Sequence, residues 1–485
     1  MDVNQIKTIG KNLKRFLSEF DDCFARSEPR DHLRTYIRGQ LSDLPRKSVE
    51  PIALAAQTPP RTLQRFLSSV EADEEHLVNR IQWLVARDHA APQAVGTVDD
   101  TGNPKKGTHT AGVQRQWCGN TGKIDNCVVS VHIGYTAGDF HCLLDSDVYL
   151  PESWDSDPTR RAEAGIPDEV IYRKKTRIAL AQINRALANG IRVVAWTFDE
   201  FYGRDGEFLD GLDARGQTYV AEVPSDFTGW VSAPRILHSP RPQEARKRGR
   251  KRRYPRLARK ALPASEVRNL PPYSRLFQKQ TWKRFKIKDG EKGPVVWEVK
   301  HAPFYRKHGP GGLPGPTHTL IVARNVLNPE EIKYFVANRV AGAGGLSVEW
   351  MLGVAFSRWP IERCFELAKR ELGMDHFEAR SWRAIHRHLY ISQLSLLFCA
   401  RVHQRLREKN ARQFVLDRGA GASSRQRMAR RPDPAAGNAT ANLSADGRTD
   451  RVLSTTQSPR PAVPCPMDMP MPGEARHRCR SAAFV

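Results

Sequence analysis

The feature that most constrains the fold is a change in the hydrophobic pattern near Ala91. Before this point, apolar residues recur every three or four positions, as in residues 6–20 and 62–70, and this period predicts helices. After it, short apolar runs alternate with helical segments. The resulting order is strand, strand, strand, helix, strand, helix, strand, and it predicts an α/β fold.

Shifts in composition divide the chain further. The predicted segments are a helical domain that binds DNA (1–90), the first part of the α/β core (91–224), an inserted β-rich basic subdomain (225–345), the helical completion of the core (346–410) and a disordered or frameshifted tail (411–485). The tail contains no Lys, Ile, Tyr or Trp, so it cannot bury enough apolar surface to offset its chain entropy. In the first segment, Arg61 and Arg65 follow a Pro-Pro helix start and indicate one half of a helix-turn-helix.

The net charge of +24 indicates a polyanionic partner, because each neutralised phosphate releases condensed counterions. Ten of the fifteen residues from Arg246 to Lys260 are Lys or Arg, and we expect this run to contact the DNA backbone. The residues that we single out in it are Arg250, Lys251, Arg252 and Arg253. The longest apolar stretch is too short for a membrane span, and the eight cysteines show no zinc-ligand spacing. We therefore expect a cytoplasmic, nucleoid-associated protein with reduced thiols and no membrane contact.

Acidic residues follow two of the apolar runs. Asp99 and Asp100 come directly after the predicted strand 94–98, and Asp199 follows the predicted strand 191–196. In open α/β sheets, ligand sites form at the carboxyl ends of strands. We prefer Asp100 over Asp99 as the first carboxylate, but alternation places the two on opposite faces and leaves both open.

A third carboxylate lies on the predicted helix 360–372. Glu362, Glu366 and Lys369 share one face of this helix, and Arg358 lies one turn before Glu362. Glu362 is the preferred acid, and Glu366 is held in reserve. Three converging carboxylates can hold two divalent ions for phosphodiester cleavage, and their oxygen ligands suit Mg²⁺ or Mn²⁺.

The same residues carry a resemblance. Arg358, Glu362 and Lys369 reproduce the last three members of a Tyr-x2-Arg-x3-Glu-x6-Lys signature, with Ala355 at the Tyr position. The stretch 99–107 matches a further motif around a first aspartate, and Asp199 with Tyr202-Gly203 three residues later matches another around a second aspartate. On these residues, the chain from about residue 16 to 407 resembles the DDE transposases of bacterial insertion sequences.

This resemblance implies an RNase H-like catalytic core with a β-rich insertion between the second Asp and the Glu. It implies that Asp100, Asp199 and Glu362 bind two metal ions, that water attack frees a 3′-hydroxyl at the element end, and that this hydroxyl attacks target DNA. The partners are then double-stranded DNA, at the terminal inverted repeats and the target, and a second copy of the chain, because two ends must be joined. We expect DNA contacts from Arg358, Lys369, Lys105, Lys106 and Arg115.

Two other functions fit the sequence: a decayed transposase that only binds DNA, and a metal-dependent nuclease that cuts without joining. Trp282 and Trp297 either stack on an unpaired base or pack in the core. Core packing is the preferred interpretation for each.

Overall fold

The structure is a computed structural model, and it describes residues 3–240, 253–290, 293–309, 311–342 and 346–428. The chain divides into two compact units, Met1–Asp417 and Arg418–Val485. All elements discussed below lie in the first unit, except the last part of the final helix.

Helices fill the N-terminal part of the chain, as the period of the apolar residues predicts. They are α1 (Val3–Ser18), α2 (Ser27–Gln40), α3 (Val49–Ala55), α4 (Pro60–Ser68) and α5 (Glu74–Asp88). In α4, Pro60 occupies the first turn, where its missing N–H costs nothing. The apolar face of α4 is buried, whereas Arg61 and Arg65 are exposed. The helix-turn-helix remains a prediction.

Six strands and five helices follow. The strands are β1 (Val95–Pro104), β2 (Gln114–Cys118), β3 (Lys123–Ala137), β4 (Phe140–Val148), β5 (Ala195–Phe198) and β6 (Tyr219–Val223). The helices are α6 (Glu152–Asp155), α7 (Pro158–Glu163), α8 (Lys175–Ala188), α9 (Glu200–Gly203) and α10 (Gly206–Ala214). The predicted α/β fold is therefore confirmed as a mixed α/β architecture.

β1 lies within the sheet between β3 and β5. It pairs antiparallel with β3 over its whole length and parallel with β5 over Val95–Val98 only. β5 pairs parallel with β6, and β4 pairs antiparallel with β3. The parallel pairing of β1 ends at the residue before Asp99, so a cleft can open there between two diverging strands.

The segment between β6 and the final helices is rich in strands. It contains β7 (Thr228–Trp230), β8 (Ile236–Leu237), β9 (Arg256–Leu257), β10 (Ser265–Glu266), α11 (Leu270–Tyr273), α12 (Arg275–Gln278), β11 (Lys283–Gly290), β12 (Gly293–His308), β13 (Leu313–Pro314), β14 (His318–Asn325) and β15 (Ile332–Ala337). β15 pairs antiparallel with β6, so most of these strands extend the core sheet rather than forming a separate one.

Three helices complete the described chain: α13 (Val348–Phe356), α14 (Trp359–Arg370) and α15 (Trp382–Met428). α14 packs its buried face of Ile361, Cys364, Phe365 and Ala368 towards β1, β3 and β4. In the described residues, no helix is long and apolar enough to cross a membrane.

Several predicted boundaries differ from the structure, among them the strand before Asp199, which is predicted at 191–196 and lies at Ala195–Phe198. β1 runs through the acidic pair to Pro104, because the ladder with β3 continues where the apolar pattern stops. Apolar residues at helical spacing predict a helix over residues 167–188, but α8 begins only at Lys175, since the intervening run of Val, Ile and Tyr disfavours a helix. The apolar pattern predicts a final helix over residues 384–407, whereas α15 continues to Met428. The tail after Met428 lies outside the described residues.

Candidate active site

The pairing of β1 with β5 brings two acidic positions side by side. Val98 pairs with Phe198, so Asp99 and Asp199 follow directly on neighbouring parallel strands. Asp199 is also the N-cap of α9: its Oδ1 accepts hydrogen bonds from the backbone N–H of Phe201 at 3.1 Å and of Tyr202 at 3.3 Å. These two bonds hold the Asp199 carboxylate at the carboxyl end of β5.

Asp99 and Asp100 face different elements, as alternation along a strand requires. Asp99 Oδ2 accepts a hydrogen bond from Arg358 Nη1 at 3.1 Å, so Asp99 faces α14. Asp100 Oδ2 lies 3.0 Å from the Nζ of Lys175, the first residue of α8. Burial and the nearby charge of Asp199 raise the pKa of Asp99 to about 8, against the opposing effect of Arg358. Burial likewise raises the pKa of Asp199.

The cationic members of the signature attach α14 to β1. Arg358 Nη1 lies 2.9 Å from Glu362 Oε1, one turn along the helix, and the same nitrogen binds Asp99. Lys369 Nζ donates to Thr101 Oγ1 at 2.7 Å and to the carbonyl of Gly102 at 3.4 Å. The spacing of the signature thus matches two contact points on one strand.

These side chains line one cleft of about 820 Å³. The predicted residues in its lining are Asp99, Asp100, Asp199, Arg358, Glu362, Glu366 and Lys369. The lining also includes residues that the sequence did not single out, among them Trp117, Lys175, Phe201, Asp375 and His376. A signal for Lys175 was available in the basic run Arg173-Lys174-Lys175, but its contact with Asp100 depends on long-range packing.

Other predicted DNA contacts lie outside the cleft lining. Lys105 Nζ lies 3.4 Å from the ring centroid of Phe377 and donates to its carbonyl at 2.7 Å, and burial lowers the pKa of Lys105 to about 8. Lys106, Arg115 and Arg253 are exposed. Arg250, Lys251 and Arg252 lie outside the described residues.

The two tryptophans have separate environments. Trp297 is buried against Phe356 with ring centroids 5.2 Å apart, so core packing is confirmed for it and base stacking is wrong. Trp282 is partly buried, and its ring is covered by Lys300 and Arg324 at 5.0 and 4.3 Å from the centroid. Neither ring lines the cleft.

The described part of the chain holds one tight cluster of candidate metal ligands. There, Asp22, Cys23 and His76 form the one group of three whose ligand atoms lie within 4.8 Å of one another. Arg80 already binds the Asp22 carboxylate, and burial raises the pKa of the Cys23 thiol to about 12, so this group is poorly suited to a cation. The cleft acids are spaced more widely, with the Arg358 guanidinium between Asp99 and Glu362.

The architecture and the acidic cleft define a class of protein that the family comparison confirms. The sequence model of the DDE superfamily endonucleases matches residues 19–294, more than half of the chain, and the chain belongs to this family. Members of the family generally use divalent metal ions. The matched residues include Asp99, Asp100 and Asp199 and end before Glu362, so support for the glutamate comes from geometry.

One relative and one solved structure narrow the comparison. A probable transposase for insertion sequence element IS701 from Microchaete diplosiphon is 31% identical over 191 residues, which are 39% of this chain and 47% of the relative. The chain thus matches about half the length of this curated relative. The predicted resemblance to insertion-sequence transposases is confirmed. The cryo-electron microscopy structure of a piggyBac transposase synaptic complex with hairpin DNA covers 79% of this chain and 75% of its own, at 10% identity and a TM-score of 0.30.

Proposed function

We propose that the chain is a transposase that cleaves DNA at insertion-sequence ends and joins those ends to target DNA by metal-dependent phosphoryl transfer. The observation that carries this proposal is the convergence of Asp99, Asp199 and Glu362 on one cleft. The family and the IS701 relative support it.

The strand order supports an RNase H-like core. Among the first six strands, β1 is central. On one side, β3 is antiparallel to β1 and β4 is antiparallel to β3; on the other side, β5 and β6 are parallel to β1. The strands β7–β15 occupy the interval between Asp199 and Glu362, where the resemblance implies an insertion. This order places the first two carboxylates on adjacent central strands.

We propose Asp99 rather than Asp100 as the first carboxylate. Asp99 shares Arg358 with Glu362 and senses the charge of Asp199, so all three acids belong to one electrostatic group. Asp100 lines the same cleft and its charge contributes to the raised pKa of Asp199, but Lys175 neutralises Asp100 at 3.0 Å and Arg358 does not contact it. Asp100 then supports the site through its ion pair.

The charge of the cleft supports a requirement for Mg²⁺ or Mn²⁺. Its lining contains six carboxylates and four Lys or Arg side chains, a formal balance of −2 that bound cations would offset. Carboxylate oxygens are the ligands that these hard cations prefer. Asp99, Asp199 and Glu362 would hold two ions, and bound ions would supply Lewis-acid stabilisation of the attacking and leaving oxygens.

The basic residues in and near the cleft would compensate the charge of the acids and hold the surrounding elements in position. Arg358 compensates Asp99 and Glu362 and becomes available to phosphate when cations bind those carboxylates. Lys369 on α14 donates to Thr101 on β1, and this contact fixes the position of α14, and therefore of Glu362, relative to β1. Lys105 is engaged by Phe377, so we assign it to positioning the chain after β1 rather than to DNA.

Double-stranded DNA is the proposed partner. The exposed Lys106, Arg115 and Arg253 are suited to backbone phosphates, and so are the exposed Arg61 and Arg65 on α4. Because two element ends must be joined, we propose that the active form on DNA is at least a homodimer.

Incubation of the protein with Mg²⁺ and DNA that carries the repeats flanking its gene tests the proposal. Strand-transfer products are expected. Cleavage alone would indicate a nuclease that does not join, and binding alone would indicate a decayed transposase. Either of these two outcomes would overturn the proposal.

A further inference from the structure

A large aromatic side chain stands exposed in the lining of the cleft. Trp117 is 62% exposed and lies on β2, which pairs with β3 alone in the described chain. Its register partner on β3, Ile124, is 60% exposed, so the pair does not bury the indole. The ring therefore adds nothing to the core and remains available to a ligand.

The charges around Trp117 favour a nucleic acid over a protein partner. Arg115 lies two residues before Trp117 on the same face of β2 and is exposed. On β3, the exposed Lys123 pairs with Cys118, the residue after Trp117. Arg370, with 72% of its side chain exposed, lies in the same cleft and forms a solvent-exposed ion pair with Glu366 at 2.8 Å, which a phosphate can replace. The apolar patch consists of two side chains, far smaller than a specific protein interface requires.

Phe201 provides an internal comparison. It is the other large apolar side chain of the cleft lining that is exposed, at 46%. The Nζ of Lys175 lies 5.1 Å from its ring centroid, so its face is already engaged by a cation. Trp117 is the more exposed of the two rings and the better platform for a base.

We propose that Trp117 is a stacking platform for an unpaired base of the DNA strand whose backbone enters the acidic cleft. Every base has a π face, so such a platform binds without regard to sequence, while Arg115 and Arg370 attract the flanking phosphates. This inference rests on the proposed function for its choice of ligand. It adds a preference for DNA that is unpaired next to the cut site.

Binding of two synthetic DNAs without divalent ions tests the platform. One is a blunt 20-base-pair duplex, and the other is the same duplex with a five-nucleotide overhang that carries 2-aminopurine. Stacking quenches 2-aminopurine, so quenching is expected with the overhang DNA. Trp117→Ala should abolish the quenching and weaken overhang binding by about tenfold, while binding of the blunt duplex is unchanged.

Three further variants control this experiment. Trp117→Phe should keep most of the affinity, and Trp117→Leu, which is apolar but not aromatic, should lose it. Trp83→Ala removes a ring that is 44% exposed on α5 and absent from the cleft lining, and it should behave as wild type. Unchanged quenching in Trp117→Ala, wild-type binding by Trp117→Leu, or equal weakening on both DNAs would overturn the proposal.

The failure of this inference is distinguishable from that of the proposed function. Binding and quenching are measured without metal, so they do not depend on cleavage. Quenching by a protein that never cleaves would remove the proposed function and leave the platform in place. Cleavage and joining by a protein whose Trp117 variants bind overhang DNA normally would remove the platform and leave the proposed function in place.

Discussion

Asp199 has two tasks that a substitution can separate. Its Oδ1 caps α9 through two backbone N–H groups, and its charge contributes to the acidic cleft. An Asn side chain can still accept the capping bonds but carries no charge. Loss of activity in this variant would therefore report on the charge and not on the fold of α9.

We expect Asp199→Asn to abolish DNA cleavage while DNA affinity and the thermal midpoint stay near wild type. Asp205 offers a matched control, because it caps α10 in the same way, accepting from Glu207 and Phe208, and it does not line the cleft. Asp205→Asn should keep its activity. Cleavage by Asp199→Asn at the wild-type rate in a gel assay with Mg²⁺ would remove Asp199 from the site.

The two neighbouring aspartates of β1 can be separated in the same assay. Asp99→Asn should lower the cleavage rate by about a thousandfold, since a lost metal ligand removes about 4 kcal/mol of transition-state stabilisation. Asp100→Asn breaks the ion pair with Lys175 and should stay within about tenfold of wild type. The reverse order of the two rates would make Asp100 the first carboxylate.

At the scale of elements, the apolar pattern predicted most strands and helices of the core. It did not predict that β1 continues through Asp99 and Asp100, because that continuation depends on pairing with β3 some thirty residues away. The same limit applies to β15, whose pairing with β6 joins the inserted strands to the core sheet. Local pattern decides the type of an element, whereas its length and neighbours depend on distant residues.

The candidate site was predictable in part for the same reason. The spacing of Arg358, Glu362 and Lys369 placed them on one helix, and the structure adds their contacts with Asp99 and Thr101. Lys175 and Trp117 were not singled out, because the basic run around Lys175 does not reveal its partner Asp100 and Trp117 belongs to no local motif. Their place in the cleft follows from the packing of α8 and β2 alone.

The approach of α9 to β6 makes Gly203 indispensable. A Cβ at this position would meet the carbonyl oxygen of Glu222 at 1.9 Å, and backbone cannot move aside as a flexible side chain can. We expect Gly203→Ala to destabilise the protein by about 3 kcal/mol. The Gly in the Tyr202-Gly203 motif is thus explained by packing next to Asp199.

Urea unfolding of Gly203→Ala measures this cost, and Gly206→Ala is the control. A Cβ at Gly206, the first residue of α10, meets nothing within 4 Å. Gly206→Ala should therefore leave the free energy of unfolding within about 0.5 kcal/mol of wild type. Equal midpoints for the two variants would show that α9 can move away from β6 at little cost.

At the scale of the whole molecule, the N-terminal helices are tied to the closing helix by buried polar contacts. Tyr36 Oη lies 2.9 Å from His388 Nδ1, Gln40 donates to Ser392 at 2.8 Å, and Arg387 donates to Glu74 at 2.6 Å. These contacts join residues more than three hundred positions apart. The N-terminal helices therefore share their core with the α/β part, and the predicted DNA-binding role of residues 1–90 would act from that fixed position.

His388 makes these contacts sensitive to acid. Burial, together with the nearby charge of Lys105, lowers the pKa of His388 to about 4, whereas an unfolded histidine titrates near 6.5. Below pH 6.5 the unfolded chain binds a proton that the folded chain excludes, so stability falls as the pH falls towards 4. The pKa difference corresponds to a loss of about 3 kcal/mol from this residue.

His388→Gln should flatten this pH dependence, because Gln can accept from Tyr36 and donate to the carbonyls of Gly373 and Met374 without titrating. Urea unfolding at pH 7 and pH 4.5 measures it, and comparison with wild type cancels opposing groups such as Asp145, whose pKa burial raises to about 6. His109→Gln, at a side chain that is 69% exposed, should keep the wild-type dependence. If His388→Gln loses as much stability on acidification as wild type does, another group carries the acid sensitivity of the contact between α2 and α15.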